Sequence, residues 1–375
     1  MQASRRGFVL GLLVAASSGV SHGQSAKLAT SPAKTAVGLV RLRAGKEWLR
    51  DCVPWVPRGL SFFGRLIPKG WNSDPGTMAA RESFGPWNVE AVKWMVGDVI
   101  RLQVGMPFLD PKSPQYNAAY LDEIGRAVAM ARDGGLTVIL SLQYQSRTNV
   151  KPVEFLPKDS ARRSWQALGP VFSGDWGVIY ELFNEPVGPP QPDARRWEMW
   201  RSGHQVIIDD LRGAGVANVL IVDGLNGAHT FRGAPALKDP LQQLAYGVHP
   251  YFRENYTTPS DWDQAFGEFA KSRAVLVTEW GHSAEKCELG GETQVEQLLE
   301  YLETRRIGVV AYGADEQGSK LMTRRGDAFE ATSFQGRACG QRGAGPGELL
   351  KKSFQRSTAL NRSMKSVDKA SCGLR

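Results

Sequence analysis

Eight short runs of apolar, β-branched and aromatic residues, separated by stretches with helical periodicity, constrain this chain more than anything else in it. The strand-like runs are 58–63, 98–104, 136–142, 178–184, 218–223, 244–249, 274–279 and 308–312. Between them, 116–133 puts Tyr116, Tyr120, Ile124, Ala127, Val128 and Ala131 on one face and stops at Gly134-Gly135. The stretch 194–212 does the same with Trp197, Trp200, His204, Ile207, Ile208 and Leu211, and 293–306 with Val295, Leu298, Leu299 and Leu302. Ser260 is placed to cap a helix carrying Trp262, Phe266 and Phe269. Strands joined through helices pair in parallel, and eight such units close into an α/β (β/α)8 TIM barrel, a single domain. A doubly wound sheet for a dinucleotide would want G-x-G-x-x-G after an early strand, which Gly59 and Gly64 do not supply.

In such a barrel the chemistry gathers where strands end, at the C-terminal face. The fourth run reads Val-Ile-Tyr-Glu-Leu-Phe-Asn-Glu-Pro-Val over 178–187, a buried strand tipped by Asn184, Glu185 and Pro186, the last unable to continue a ladder. The seventh, Ala-Val-Leu-Val-Thr-Glu, also finishes on a carboxyl, Glu279, followed by Trp280-Gly281. A carboxyl at the mouth of a buried strand is open to partial desolvation, which raises its pKa as a general acid requires. Two acid-tipped strands are what a glycosidase needs. The remaining strand ends supply Arg101 on the second strand and His249 with Tyr251 on the sixth.

Arg on strand two, Phe-Asn-Glu-Pro on four, His-Pro-Tyr on six and Thr-Glu-Trp-Gly on seven resemble glycoside hydrolase family 5, the cellulase-like family of clan A, over roughly residues 58 to 354. The late Gly345-Pro346-Gly347-Glu348-Leu349 resembles the start of that family's last helix. The resemblance implies that Glu185 is the acid/base and Glu279 the nucleophile of a retaining double displacement, whose two carboxyls stand about 5 to 5.5 Å apart. Arg101 beside Glu279 would keep it ionised, and the Tyr251 hydroxyl would donate to the same carboxylate. Asn184 would bond the sugar 2-hydroxyl. His249 would bond Glu185 or the substrate and time the release of the acid's proton. Arg101 also has a structural reading, as an ion-pair partner of Glu181.

Two positions depart from the family pattern. Its strand-three His is replaced within Ser141-Leu142-Gln143-Tyr144-Gln145, where Gln143 bonds a hydroxyl without being chargeable. Its strand-eight Trp is missing from Tyr312-Gly313-Ala314-Asp315, leaving Tyr312 or a loop aromatic to substitute. Both touch the subsite of the sugar being cleaved and bear on substrate identity more than on reaction type. Trp71, Trp87, Trp176 and Trp280 fall in loops or at strand ends and are candidate sugar platforms, Trp280 foremost because it follows Glu279. Trp94, Trp197 and Trp200 fall at helical spacing and read as core, as does His204. Asp315 and Glu316 are alternative acids.

The expected substrate is a β-linked glucan- or mannan-type polysaccharide or oligosaccharide. The competing readings are a catalytically inactive barrel that binds glycans and a metal-dependent hydrolase. Five histidines without H-x-H or H-E-x-x-H give no ligand pattern, so no metal or other cofactor is expected. Net charge is +8, from 46 basic and 38 acidic side chains, but the basic residues are scattered and no stripe is interleaved with aromatics, so nucleic acid is not an expected partner. A monomer is expected.

Ser4-Arg5-Arg6-Gly7-Phe8, the apolar 9–16 and the small residues 21–23 read as a twin-arginine-type export signal over 1–23. A Ser/Ala/Thr/Lys-rich linker follows over 24–36, and the barrel occupies 37–375. The expected location is the periplasm or the cell exterior, with no membrane span. Cys52, Cys287, Cys339 and Cys372 lack a C-x-x-C spacing and allow three pairings; the one favoured joins Cys287 to Cys339, in loops after adjacent late strands, and Cys52 to Cys372, tying the two ends.

Overall fold

The computed structural model describes residues 38–62, 64, 66, 68, 83–143, 154–189, 191–282, 290–314, 321–333, 345–368 and 370–372. The expected signal and linker, Trp71, Tyr144, Cys287, Cys339, Asp315 and Glu316 lie outside the described residues.

A small antiparallel sheet comes first: β1 (Val40–Arg43), β2 (Glu47–Arg50) and β3 (Val53–Pro54). Eight parallel strands then close into a barrel: β4 (Arg58–Ser61), β5 (Val99–Gly105), β6 (Thr137–Gln143), β7 (Val178–Glu181), β8 (Leu220–Asp223), β9 (Leu244–Val248), β10 (Val275–Val277) and β11 (Gly308–Tyr312). Each falls within or beside a stretch that the sequence predicts, and β11 pairs with β4 to seal the ring. A hairpin, β12 (Met322–Arg325) with β13 (Ala328–Ala331), precedes the last helix, Pro346–Ser363.

Successive strand side chains point to opposite faces, and this alternation sorts the barrel. Along β5, Ile100, Leu102 and Val104 pack outward with helix residues such as Ile124 and Val128, while Val99, Arg101 and Gln103 point inward. The inward layer nearest the strand starts is apolar: Val99, Ile139, Ile179, Ile221, Ala245, Leu276 and Val310. Val40, Leu42 and Trp48 of the leading sheet, with Trp55 just after it, join this cluster and plug the N-terminal end. One step along, the inward residues turn polar: Arg101, Ser141, Glu181, Asp223 and Thr278, all fully buried. The apolar plug and the polar layer above it leave only the C-terminal end for chemistry.

The helices follow the apolar periodicity, with differences at their starts. The second long helix begins at Tyr120, and Tyr116 stands outside it and exposed, because Asn117 Oδ1 accepts the Ala119 N–H and folds the chain into a turn. The cap expected at Ser260 is Thr258, which accepts the Asp261 N–H: Pro259 fits the first helical position and moves the cap upstream. The last pattern runs Glu292–Thr304. Cys52 is bonded to Cys372, Cα atoms 5.3 Å apart, joining the leading sheet to the end of the chain.

Candidate active site

Arg101 is the centre of the site and is wholly buried. Its Nε and Nη2 donate to the two oxygens of Glu181, each at 2.7 Å, and its Nη1 donates to Glu279 Oε2 at 2.8 Å. Nη2 also reaches Ser141 Oγ at 2.9 Å and Asn184 Oδ1 at 2.6 Å. Arg101 thus contacts Glu181 and Glu279 at once. The inward parity that buries it on β5 aims it across the barrel at carboxylates on β7 and after β10. Burial disfavours its charge, but Glu181 and then Glu279 more than compensate, so it is fixed as a cation.

Glu279 accepts from Arg101 on one oxygen and from the Tyr251 hydroxyl, at 3.0 Å, on the other. Burial outweighs the opposing charges of His249 and Arg101, so this carboxyl lies above its ordinary value. Donors on both oxygens favour the ionised form, in which we place it. Burial, with Glu279 alongside, pushes the Tyr251 hydroxyl well up, so it remains a donor.

Glu185 has one-third of its side chain exposed, facing the mouth, and its Oε1 lies 3.0 Å from His249 Nδ1. His249 is fully buried and its Nε2 meets Thr278 Oγ1 at 3.0 Å. Burial would strip the imidazole of its proton, but Glu279, Asp223 and Glu185 outweigh that and raise it to about 9. In return burial, which would raise Glu185, is overcome by the hydrogen bond and charge of His249, and the carboxyl lies below its ordinary value. At neutral pH the Glu185–His249 pair thus holds one proton, seated on the imidazole. One oxygen each of Glu185 and Glu279 and a nitrogen of His249 all lie within 4.8 Å of one another.

The other site residues from the sequence are also placed. Asn184 is 7% exposed at the end of the same strand segment. Gln143 ends β6 with its amide donating to Ser141 Oγ at 3.0 Å. Tyr312 ends β11 and bonds Gln103, which burial and Glu279 accompany by raising its hydroxyl. Trp280 is 1% exposed and packs edge-on to Phe252, so it braces the strand end and offers no ring face. Trp176 precedes β7 and therefore lies at the plugged end, with Arg41 over its ring, away from the site. Trp87 packs against Phe62 and Arg324 on the mouth side of the barrel. Trp197 and Trp200 are core, and Trp94 is half-buried against Phe329 and Lys351.

Sequence reasoning missed Asp223. It ends β8, is fully buried, accepts the Glu185 N–H at 3.1 Å and stands 3.6 Å from His249 Nε2. Its signal was present, since Leu-Ile-Val-Asp is a third acid-tipped strand. The triads Glu181–Asp223–His249 and Glu185–His249–Glu279 each bring three ligand-type atoms within 4.8 Å. A metal ion in either would compete with the guanidinium of Arg101 for Glu181 or Glu279 and with a cationic imidazole, so the residues present do not fit one.

Known structures share this architecture. A β-glucanase from Saccharophagus degradans is similar at 18% identity and a TM-score of 0.63, covering 86% of this chain and 94% of its own. A family 5 xyloglucanase from Paenibacillus pabuli matches at 16% identity and a TM-score of 0.61, over 80% of this chain and 98% of its own. A β-mannanase from Streptomyces thermolilacinus matches at 17% identity and a TM-score of 0.54, over 76% of this chain and 89% of its own. At such identities the likeness speaks for the fold. Residues 87–318, from the first barrel helix to beyond β11, match the family model Cellulase (glycosyl hydrolase family 5): the chain belongs to that family and is a retaining glycosidase.

Proposed function

We propose that the protein cleaves β-glycosidic bonds of a glucan- or mannan-type polysaccharide or oligosaccharide by double displacement, with Glu279 as nucleophile and Glu185 as acid/base. The observation that carries this is the 4.8 Å grouping of a Glu185 oxygen, a Glu279 oxygen and a His249 nitrogen. Carboxyls whose nearest oxygens approach within that limit suit direct attack by one of them, at the roughly 5–5.5 Å spacing of a retaining pair, better than the roughly 6.5–9.5 Å that admits a water between them. The substrate class is taken from the names of the similar structures: β-glucanase, xyloglucanase and β-mannanase.

Substrate binding expels water, and Glu279 attacks the anomeric carbon while the proton held by the Glu185–His249 pair passes through Glu185 to the leaving oxygen. The charge of Glu279 helps to hold the imidazole protonated. Forming its ester removes that charge, so His249 becomes more acidic as the leaving group needs the proton. In the second step Glu185 takes a proton from water, the hydroxyl displaces Glu279, and the released carboxylate recharges His249. Asn184, held by Arg101, is placed for the 2-hydroxyl, with Gln143 and Tyr312 flanking the same sugar.

Export through the residue 1–23 signal is part of the proposal, with a linker to 36 and the barrel from 37, working in the periplasm or outside the cell as a monomer. The Cys52–Cys372 bond supports an oxidising compartment. No helix among the described residues is long and apolar enough to cross a membrane.

The test is product release from a panel of β-glucans, mannans and xylans by wild type, Glu185→Ala and Glu279→Ala. Release by wild type that disappears in both variants is expected. Near-wild-type release by Glu279→Ala refutes the nucleophile assignment. Binding without release by wild type would favour the glycan-binding reading.

A further inference from the structure

Asp223 lies beneath the acid/base pair in an arrangement that packing alone does not explain. Its Oδ2 accepts the Glu185 main-chain N–H at 3.1 Å and stands 3.6 Å from His249 Nε2, while its Oδ1 has no hydrogen-bond partner although the residue is fully buried. A buried carboxylate with an unpaired oxygen is unfavourable unless a charge compensates it. Space for it is made by Gly247, its cross-strand partner on β9, where a Cβ would come 2.1 Å from that oxygen. The backbone it anchors is itself under strain: Glu185 has φ +52°. Asn226 and Ala228, at +60° and +59°, are left-handed too. Gly227 N–H donates to Pro186 O at 3.1 Å, and His249 N–H to Ala228 O at 2.8 Å. Left-handed non-glycine residues persist where the surroundings over-determine them, typically at functional sites.

His249 is faced by Glu185 after β7, Asp223 on β8 and Thr278 with Glu279 after β10, with Arg101, Glu181 and His229 beyond. Of the three facing carboxyls, Glu185 and Glu279 change during turnover and Asp223 does not. We infer that Asp223 is a positioning residue for the acid/base carboxyl: it fixes the Glu185 main chain through one oxygen and, by its charge 3.6 Å from Nε2, favours the protonated His249 ring, so that the Glu185–His249 pair stays loaded into alkaline pH. Burial and then the Glu181 charge outweigh the imidazolium and Arg101 and raise the Asp223 carboxyl well above its ordinary value, so its ionisation is tied to the charge on the ring. The inference rests on the roles given to Glu185 and His249 above.

Asp223→Asn keeps the shape and the acceptor oxygen and removes the charge. Two readouts on the full chain test it: the NMR titration of the His249 ring without substrate, and the pH profile of kcat/KM. In Asp223→Asn, and in Asp223→Ser should the first fold poorly, the ring midpoint and the basic limb both move down by about 1 pH unit or more, the shift expected on losing an opposite charge at this range. Thr278→Val, which removes the hydrogen bond at Nε2 and no charge, moves both by less. An unshifted midpoint with a superimposable basic limb, or equal shifts in Thr278→Val, overturns the inference. The titration needs no turnover, so it fails independently of the acid/base reading, which falls instead if Glu185→Ala retains activity.

Discussion

Arg101→Met tests the site at its centre. The guanidinium makes five hydrogen bonds of 2.6 to 2.9 Å and is 0% exposed, as is Glu181, which it grips through both oxygens. Removing it leaves Glu181 as an uncompensated buried carboxylate, and breaking a buried pair from one side costs about 3–5 kcal/mol. Against a total stability on the order of 5–15 kcal/mol, that is a large fraction. Replacing both partners with apolar residues, as in Arg101→Met/Glu181→Met, removes the orphaned charge and is expected to recover about 2 kcal/mol or more of the loss. Urea unfolding followed by circular dichroism measures the three variants against wild type, with Glu181→Met completing the cycle. Activity should be lost in the single and the double variant alike, because Glu279 loses its Nη1 donor in both. Stability would then part from activity, which separates the two functions of the one side chain. A loss below about 1 kcal/mol in Arg101→Met, the range of exposed pairs, or no recovery in the double variant, would refute the reasoning.

Three further outcomes are expected. Tyr251→Phe removes one hydrogen bond to a charged oxygen, worth about 1.5–3 kcal/mol, so kcat should fall roughly 10- to 100-fold with the fold intact by circular dichroism. Replacing Cys52 and Cys372 together with serine should cost about 2–5 kcal/mol in thermal unfolding while leaving kcat at 25 °C unchanged, since the bond ties the plugged end. His249 is raised in the folded protein to about 9. Its contribution is therefore fully present below the unfolded value of about 6.5 and lost as pH rises through about 9. Stability measured across that window should decline in wild type and decline less in His249→Gln.

Much of this was legible because the strand ends carry the chemistry. Eight apolar runs marked the barrel, and reading only their last residues brought together Arg101, Asn184, Glu185, His249, Tyr251 and Glu279, which the structure joins by direct contacts. What failed to read was direction and depth. Trp176 looked like a loop aromatic but precedes its strand, which sends it to the plugged end; Trp280 follows the nucleophile yet turns inward against Phe252. A linear sequence does not say which side of a strand end faces the mouth. The leading sheet of β1 to β3 was not legible because its apolar residues are few and alternate with arginines over short stretches, although Val40, Leu42, Trp48 and Trp55 close the barrel floor. Asp223 tips a strand as legibly as Glu279 does, but its meeting with the Glu185 main chain and His249 is a contact between separate strand ends that the sequence does not show.

The most direct test of the account is the anomeric configuration of the first-formed product, followed by proton NMR from the moment enzyme is added to a β-linked oligosaccharide that it cleaves. Double displacement through Glu279 gives the β-anomer first, with the α-anomer appearing only as mutarotation proceeds. The α-anomer appearing first would mean direct attack by water, and would contradict the assignment of Glu279 as nucleophile.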